Sequence, residues 1–249
     1  MSAKILANEF AKMRHLRIGL VATALVAVVV GLSLMGATAS PEFADPAKRS
    51  WEVLLDSMSV AVPLTSPTLL AVLASRQVEI EHQGNGWLLS QTSGITPGGL
   101  CRAKLFALGT IVAAATVLES VLLIGAGLLL GITAPAPIGL WLGYTASVLV
   151  ANLVILALHI LLSARIDNQL VGLGIGVVGS LVAASASGFP AWLAHASPPW
   201  GYYALAAATE WRGGALDTLT PSYPSIAALG VVGVVLFLLI TSLFDRQET

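Results

Sequence analysis

Apolar residues run along this chain in blocks of about twenty, without the alternation of a half-buried strand or the one-sided stripe of a soluble helix. Charged residues, glycine or proline close each block. Six runs are long enough to cross a hydrocarbon layer of ~30 Å as helices: residues 18–39, 58–75, 105–132, 138–164, 169–187 and 225–244. The third and fourth exceed a straight crossing and are expected to tilt or to project beyond the headgroups. The pattern predicts an all-α polytopic membrane protein, with residues 1–249 forming one transmembrane domain.

Three stretches break this pattern. In residues 3–17, Ile5, Leu6, Phe10, Met13 and Leu16 share one broad arc at 100° per residue, while Lys4, Asn8, Lys12 and His15 lie opposite. This predicts an amphipathic helix lying at the membrane surface. Glu9 falls inside the apolar arc, so it either pairs with Lys12 or Arg14 or reaches back into water. Residues 76–104 join the second and third spans. They carry Glu79 and Glu81, a loose Gly84-Asn85-Gly86, then Trp87-Leu88-Leu89, and a helix start at Thr96-Pro97 with Thr96 as N-cap. A short helical element between two spans follows, and its apolar and acidic groups suit the cleft of another protein.

Residues 188–224 are too apolar for a free loop and too broken by Pro190, Pro198, Pro199, Gly213 and Gly214 for one span. Two short helices dipping into the outer leaflet are expected, with Trp192, Trp200, Tyr202, Tyr203 and Trp211 at headgroup depth as an aromatic belt.

Charge sets the orientation. Of the 12 basic residues, Lys4, Lys12, Arg14, Arg17, Arg76, Arg102, Lys104, Arg165 and Arg246 fall on one side, and only Lys48, Arg49 and Arg212 on the other. By the positive-inside rule both termini are expected in the cytoplasm. A cleaved signal peptide ending at Ala37-Thr38-Ala39 is the competing reading of the first span, but the apolar run is longer than the ~7–15 residues of a signal core.

Composition excludes several classes. With 56% hydrophobic and 10% charged residues and a mean hydropathy of +0.86, a water-soluble domain, about a quarter charged, is not tenable. The net charge of −1 gives no basis for nucleic-acid binding. The single cysteine, Cys101, excludes a disulfide framework within the chain and a Cys-only metal site; no metal site is expected. His82 is followed by Gln83, so the H-E-x-x-H of zinc proteases is missing, and His159 lacks a serine elbow, which speaks against an intramembrane protease.

Inside the spans Glu119 is the one carboxylate, either lining a substrate path or protonated and bonded to a neighbouring helix. Asn152 and His159 lie seven apart on one face and are candidates for interhelical hydrogen bonds or for the same path. Gly127/Gly131 and Gly172/Gly176 have small-xxx-small spacing, which marks packing surfaces.

The arrangement resembles the permease subunits of type-2 ABC exporters, in particular the small permeases that protect bacteria against lantibiotics and related antimicrobial peptides. Glu9, Lys12 and Arg14 are similar to the E-x-x-K-x-R of the family's interfacial elbow helix. The stretch from Arg76 through Glu79, Glu81, His82, Gly86, Trp87, Leu88 and Leu89 to Lys104 looks like its cytoplasmic signature, and Pro199-Trp200 with Tyr202 and Tyr203 is like its outer segment. The resemblance implies a coupling helix docked on a separate ATPase subunit, with Glu79, Glu81, Trp87 and Leu88 in contact and Glu9 and Arg14 in support. It also implies a second permease chain, identical or homologous, and an outer interface at Trp200, Tyr202 and Tyr203.

No G-x-x-x-x-G-K-[ST] occurs here, so ATP and magnesium are expected on the partner. The expected setting is the bacterial cell membrane. The cargo is expected to be a hydrophobic or amphipathic molecule, such as an antimicrobial peptide, a lipid or a drug. An ion-coupled secondary transporter is the alternative; it calls for broken spans in two corresponding halves, and Pro63 and Pro67 in span two have no counterpart later in the chain.

Overall fold

The computed structural model describes residues 3–212 and 214–246. Six helices in it are long and apolar enough to cross a membrane. A surface helix α1 (Ala3–His15) precedes α2 (Ile18–Ala39) and the short α3 (Pro41–Ala44). The spans α4 (Trp51–Gln83) and α6 (Pro97–Leu129) flank α5 (Gly86–Thr92), and α7 (Ile138–Arg165) and α8 (Gln169–Ser185) follow. A 3-10 turn and the short α9 (Ala191–Ala196) and α10 (Tyr202–Ala206) lead to a strand pair, β1 (Thr209–Arg212) and β2 (Ala215–Thr218), and to the last span, α11 (Tyr223–Arg246).

Two spans are longer than the uncharged runs indicated. α4 and α6 each have 33 residues, about 50 Å at ~1.5 Å per residue, against ~30 Å of hydrocarbon. Charges at Arg76, Glu79, Glu81, Arg102 and Lys104 mark where the chain leaves hydrocarbon, but they do not stop the helix, because straight-chain polar residues keep good helix propensity. What starts and stops the helices is capping. Thr96 Oγ1 accepts from the Gly99 N–H at 3.1 Å, with Pro97 in the first turn. At the other end of α6, Gly131 takes φ +89°. Its N–H donates to Leu128 O and that of Ile132 to Gly127 O, a Schellman closure. Gly131 therefore lies past the helix, and Gly127/Gly131 is not a helix face. Gly127 alone packs, against Trp51 and Leu54 of α4.

α4 sits at the centre, packed by α2, α7 and α8; α6 lies against α7, α2 and α11. A Cβ on Gly176 would fall 2.6 Å from that of Ala71, so α8 approaches α4 through its small face. The first span is likewise built into the bundle, with Ile18, Leu25, Val29 and Ala37 buried.

Next to α3, Arg49 donates to Phe43 O at 2.9 Å and to Leu130 O at 2.7 Å, and Trp51 Nε1 donates to Ala134 O at 2.8 Å. The bond to Leu130 O satisfies a carbonyl that the end of α6 leaves open, and the other two tie α3 and the loop after α6 to the start of α4. At the opposite, basic end Asp245 of α11 accepts from the Gly98 N–H at 2.8 Å and pairs with Arg102 at 2.9 Å. A carboxylate thus serves the N-terminus of α6.

The outer segment differs from the expected two helices by the antiparallel pair β1/β2, with Arg212 opposite Ala215. Gly214 adopts φ +88° there, and Gly213, read as a breaker, lies outside the described residues. A Gly-Gly connection between two short runs is a two-residue hairpin signal, obscured here by the apolar stretch before it. The hairpin is tied down where Trp211 Nε1 donates to Asp56 Oδ2 of α4 at 3.1 Å.

Candidate functional site at the basic end of the bundle

α1, the end of α4 and the start of α6 converge on four charges. Lys104 is fully buried, and its ammonium donates to Glu9 Oε2 at 2.9 Å, Glu81 Oε1 at 2.7 Å and Gln77 O at 2.8 Å. Three donors meet three acceptors. Lys12 adds contacts to Glu9 Oε1 at 2.8 Å and Glu81 Oε1 at 2.6 Å, and Gln77 Nε2 donates to Glu9 Oε2 at 2.9 Å. Two carboxylates and two ammoniums leave no net charge, the condition under which buried ions are tolerated.

Burial pushes the Glu9 carboxyl up, but the Lys104 charge and the hydrogen bonds from Lys12 and Lys104 outweigh it, so Glu9 titrates below its ordinary value. Burial pulls Lys12 down, and the bonds to Glu81 and Glu9 outweigh that, so Lys12 titrates above its own. Glu9 thus pairs with Lys12, one of the two partners expected, while Arg14 is exposed.

The cluster fixes the segment that follows. After α4 the chain turns through Asn85 at φ +50°, and Gly86 opens α5 against Glu81. A Cβ on Gly86 would sit 2.8 Å from the Glu81 Cα. Trp87 packs edge-on against His82, with ring centroids 5.7 Å apart. His82 Nε2 faces Ser163 O at 2.8 Å. Its Nδ1 meets Asp167 at 2.8 Å. Leu88 and Leu89 point outward, 60% and 63% exposed. Glu79 accepts from Gln83. Of the residues expected at an ATPase contact, Leu88 and Arg14 are exposed and Trp87 and Glu79 half-buried, whereas Glu81 and Glu9 are internal. These two acids brace the segment; they do not present a surface.

A second polar locus lies within the spans. Asn152 Nδ2 donates to Thr116 Oγ1 at 3.1 Å, and Tyr203 donates to Asn152 Oδ1 at 2.5 Å. Ser120 bonds Thr145 at 2.7 Å. Glu119, 1% exposed, and His159, fully buried, have no hydrogen-bond partner on either side-chain polar atom. Of the aromatic residues placed at the outer interface, Tyr203 is buried and reaches into the bundle, Trp200 packs over Gly179, and Tyr202 lies edge-on to His195 with centroids 6.0 Å apart. The reason for Tyr203 is the Asn152 amide, which needs a partner in an apolar surrounding. Among the described residues no group of three His, Cys, Asp or Glu side chains is placed to hold a metal ion.

Gln77 and Thr116 are site residues that sequence reasoning missed. Gln77 carried a signal, lying four residues before Glu81 and so on the same helix face. Lys104 carried one too: Leu100, Cys101, Lys104 and Leu108 follow the 3, 4 and 7 spacing of a buried stripe.

A family model described as "ABC-2 family transporter protein" matches residues 5–183, from α1 through α5 and the four-charge cluster into α8. A search of curated proteins returned no match to the chain.

Proposed function

The chain belongs to the ABC-2 transporter family, and from that premise we propose that it is the permease subunit of an ATP-driven exporter of a hydrophobic or amphipathic molecule, an antimicrobial peptide, lipid or drug. α5 is its coupling element, resting in a cleft of a separate ATPase subunit that carries ATP and magnesium. The observation that carries this reading is the mounting of α5. A short helix exposing Leu88 and Leu89 is held at one end by Gly86 against Glu81, within an ion cluster that joins α1, α4 and α6. A push on α5 is thereby transmitted to three helices at once, since α1, α4 and α6 each contribute charges to the same packed cluster.

A second permease chain completes the path, to which Glu119, Asn152 and His159 contribute polar groups. Both termini lie in the cytoplasm of a bacterial cell, because the basic residues gather at that end of the spans.

Co-purification tests the reading. The unmodified chain is expected to bring down an ATP-hydrolysing subunit from its native host, and L88D/L89D to lose it while staying in the membrane. Transport in vesicles that follows an ion gradient and ignores ATP would overturn it.

A further inference from the structure

His82, in the last turn of α4, touches three other parts of the fold. Its Nε2 lies 2.8 Å from Ser163 O in the last turn of α7, and its Nδ1 lies 2.8 Å from Asp167 Oδ1 in the turn between α7 and α8. The indole Nε1 of Trp87, at the start of α5, points at the same Nδ1 from 3.4 Å. The Ser163 carbonyl is one that the end of α7 leaves open, and Asp167 directly precedes Asn168, the N-cap of α8. One imidazole ring thus joins the end of α4 to α5, α7 and the entrance of α8.

The ring cannot serve all three contacts in one protonation state. A ring nitrogen donates when it carries a proton and accepts when it does not. Ser163 O and Asp167 Oδ1 are both acceptors, so only a ring protonated at both nitrogens donates to both; a neutral ring would set a lone pair against an oxygen at 2.8 Å. The Trp87 indole N–H is a donor only, and Nδ1 receives it only when that nitrogen is bare. A carboxylate and an indole therefore compete for one atom, and the proton on that atom decides between them. The Trp87 contact is the longer of the two, as the geometry of a losing donor requires.

Among the described residues the acids facing the ring are Asp167 and, on α4 itself, Glu79, which lines the same small cavity. α5 and α8 carry no charged side chain. On α7 the Arg165 guanidinium lies over the ring of Phe244, 5.7 Å from its centroid, and Lys12 of α1 is bound to Glu9 and Glu81. The His82 ring is partly exposed and Asp167 largely so, which lets protons exchange with solvent.

We propose that His82 is a proton-operated latch on α5. With both nitrogens protonated, the ring gives Nδ1–H to Asp167 and ties the end of α4 to the turn into α8. When that proton passes to water, the ring keeps Ser163 O through Nε2–H, releases Asp167 and receives the Trp87 indole N–H, which draws α5 onto α4. Histidine side chains exchange this proton between about pH 5 and 8, so the seating of α5 follows the pH at the basic end of the bundle. One bond at Nδ1 replaces another, and an ion pair with an exposed carboxylate adds little; the exchange moves α5 without a marked change in stability. The latch is a property of this joint and holds whatever docks on α5.

Proton–nitrogen correlation spectra of the full chain in detergent, labelled at the tryptophan indole nitrogens and recorded between about pH 5 and 8, test the latch. W87F identifies the Trp87 signal, and Trp51, whose Nε1 donates to Ala134 O at 2.8 Å away from this joint, reports the fold of each variant. The Trp87 signal is expected to follow a one-proton curve, moving downfield as pH rises and its N–H gains an acceptor. H82Q should leave it flat, with the Trp51 signal in place. D167N should displace the curve to lower pH, because the protonated ring loses its counter-charge. A Trp87 signal that does not move with pH, that moves equally in H82Q, or that keeps its midpoint in D167N would overturn the latch.

Discussion

Lys104 Nζ lies 2.7 Å from Glu81 Oε1 with both side chains withdrawn from solvent, and the pair bridges the end of α4 to the start of α6 across the segment that carries α5. The consequence is that the exposed Leu88 and Leu89 stand on a rigid mount.

Removing one member of the cluster should cost far more than a surface ion pair. In K104M the carboxylates of Glu9 and Glu81 keep only Lys12 as a counter-charge, and an uncompensated buried charge costs about 3–5 kcal/mol. Thermal unfolding of the purified protein in detergent should show a large loss for K104M and partial recovery in K104M/E81Q, where charge balance is restored.

The cluster also sets a pH window. Glu9 titrates below its ordinary 4.5 in the folded protein, so its contribution to stability is complete above that value and is lost as pH falls through the lowered folded value. Lys12 titrates above its ordinary 10.5, so its contribution is complete below 10.5 and is lost as pH rises through the raised folded value. Melting temperature should therefore be flat between these limits and fall on both sides. E9Q should flatten the acid limb and K12M the alkaline limb, and an unchanged acid limb in E9Q would show that other carboxylates govern it.

Trp87 packs on His82, at the joint between α4 and α5. On the proposed function, W87A should leave the protein in the membrane and bound to an ATPase partner, yet uncouple ATP hydrolysis from transport by freeing α5 from that joint. The readout is the ratio of cargo moved to ATP hydrolysed in reconstituted vesicles; an unchanged ratio would remove Trp87 from the coupling path.

Tyr203 anchors the outer segment to α7 through Asn152. Y203F deletes the hydroxyl and leaves Asn152 Oδ1 buried without its donor, a loss of about 1 kcal/mol. Unfolding in detergent should show it, and Y203F/N152L should recover part of it by removing both polar groups.

The hydrophobic pattern fixed the six spans, the surface helix α1 and the short element at α5, and capping chemistry at Thr96-Pro97 placed the start of α6. The spans were legible because a backbone in hydrocarbon must satisfy its own hydrogen bonds, so an apolar run of sufficient length has helix as its solution whatever surrounds it. The lengths of α4 and α6 were underread, since charge marks the edge of hydrocarbon and not the end of a helix. The β1/β2 hairpin was missed beside an apolar stretch that masked its Gly-Gly signal.

The partners of the charged residues could not be read in this way. Glu9, Gln77, Glu81 and Lys104 come from three helices, with up to 95 residues between them, and no local period records which of them meet. The same holds for Tyr203 and Asn152, 51 residues apart. Sequence alone determined that this is a bundle of membrane helices with its charges at the ends, because transfer of a residue into hydrocarbon is a local property. Only the packing of those helices decided that Glu9 and Glu81 are internal braces and Leu88 and Leu89 the exposed surface, because neutralising a buried charge depends on what the other helices bring to within about 3 Å of it.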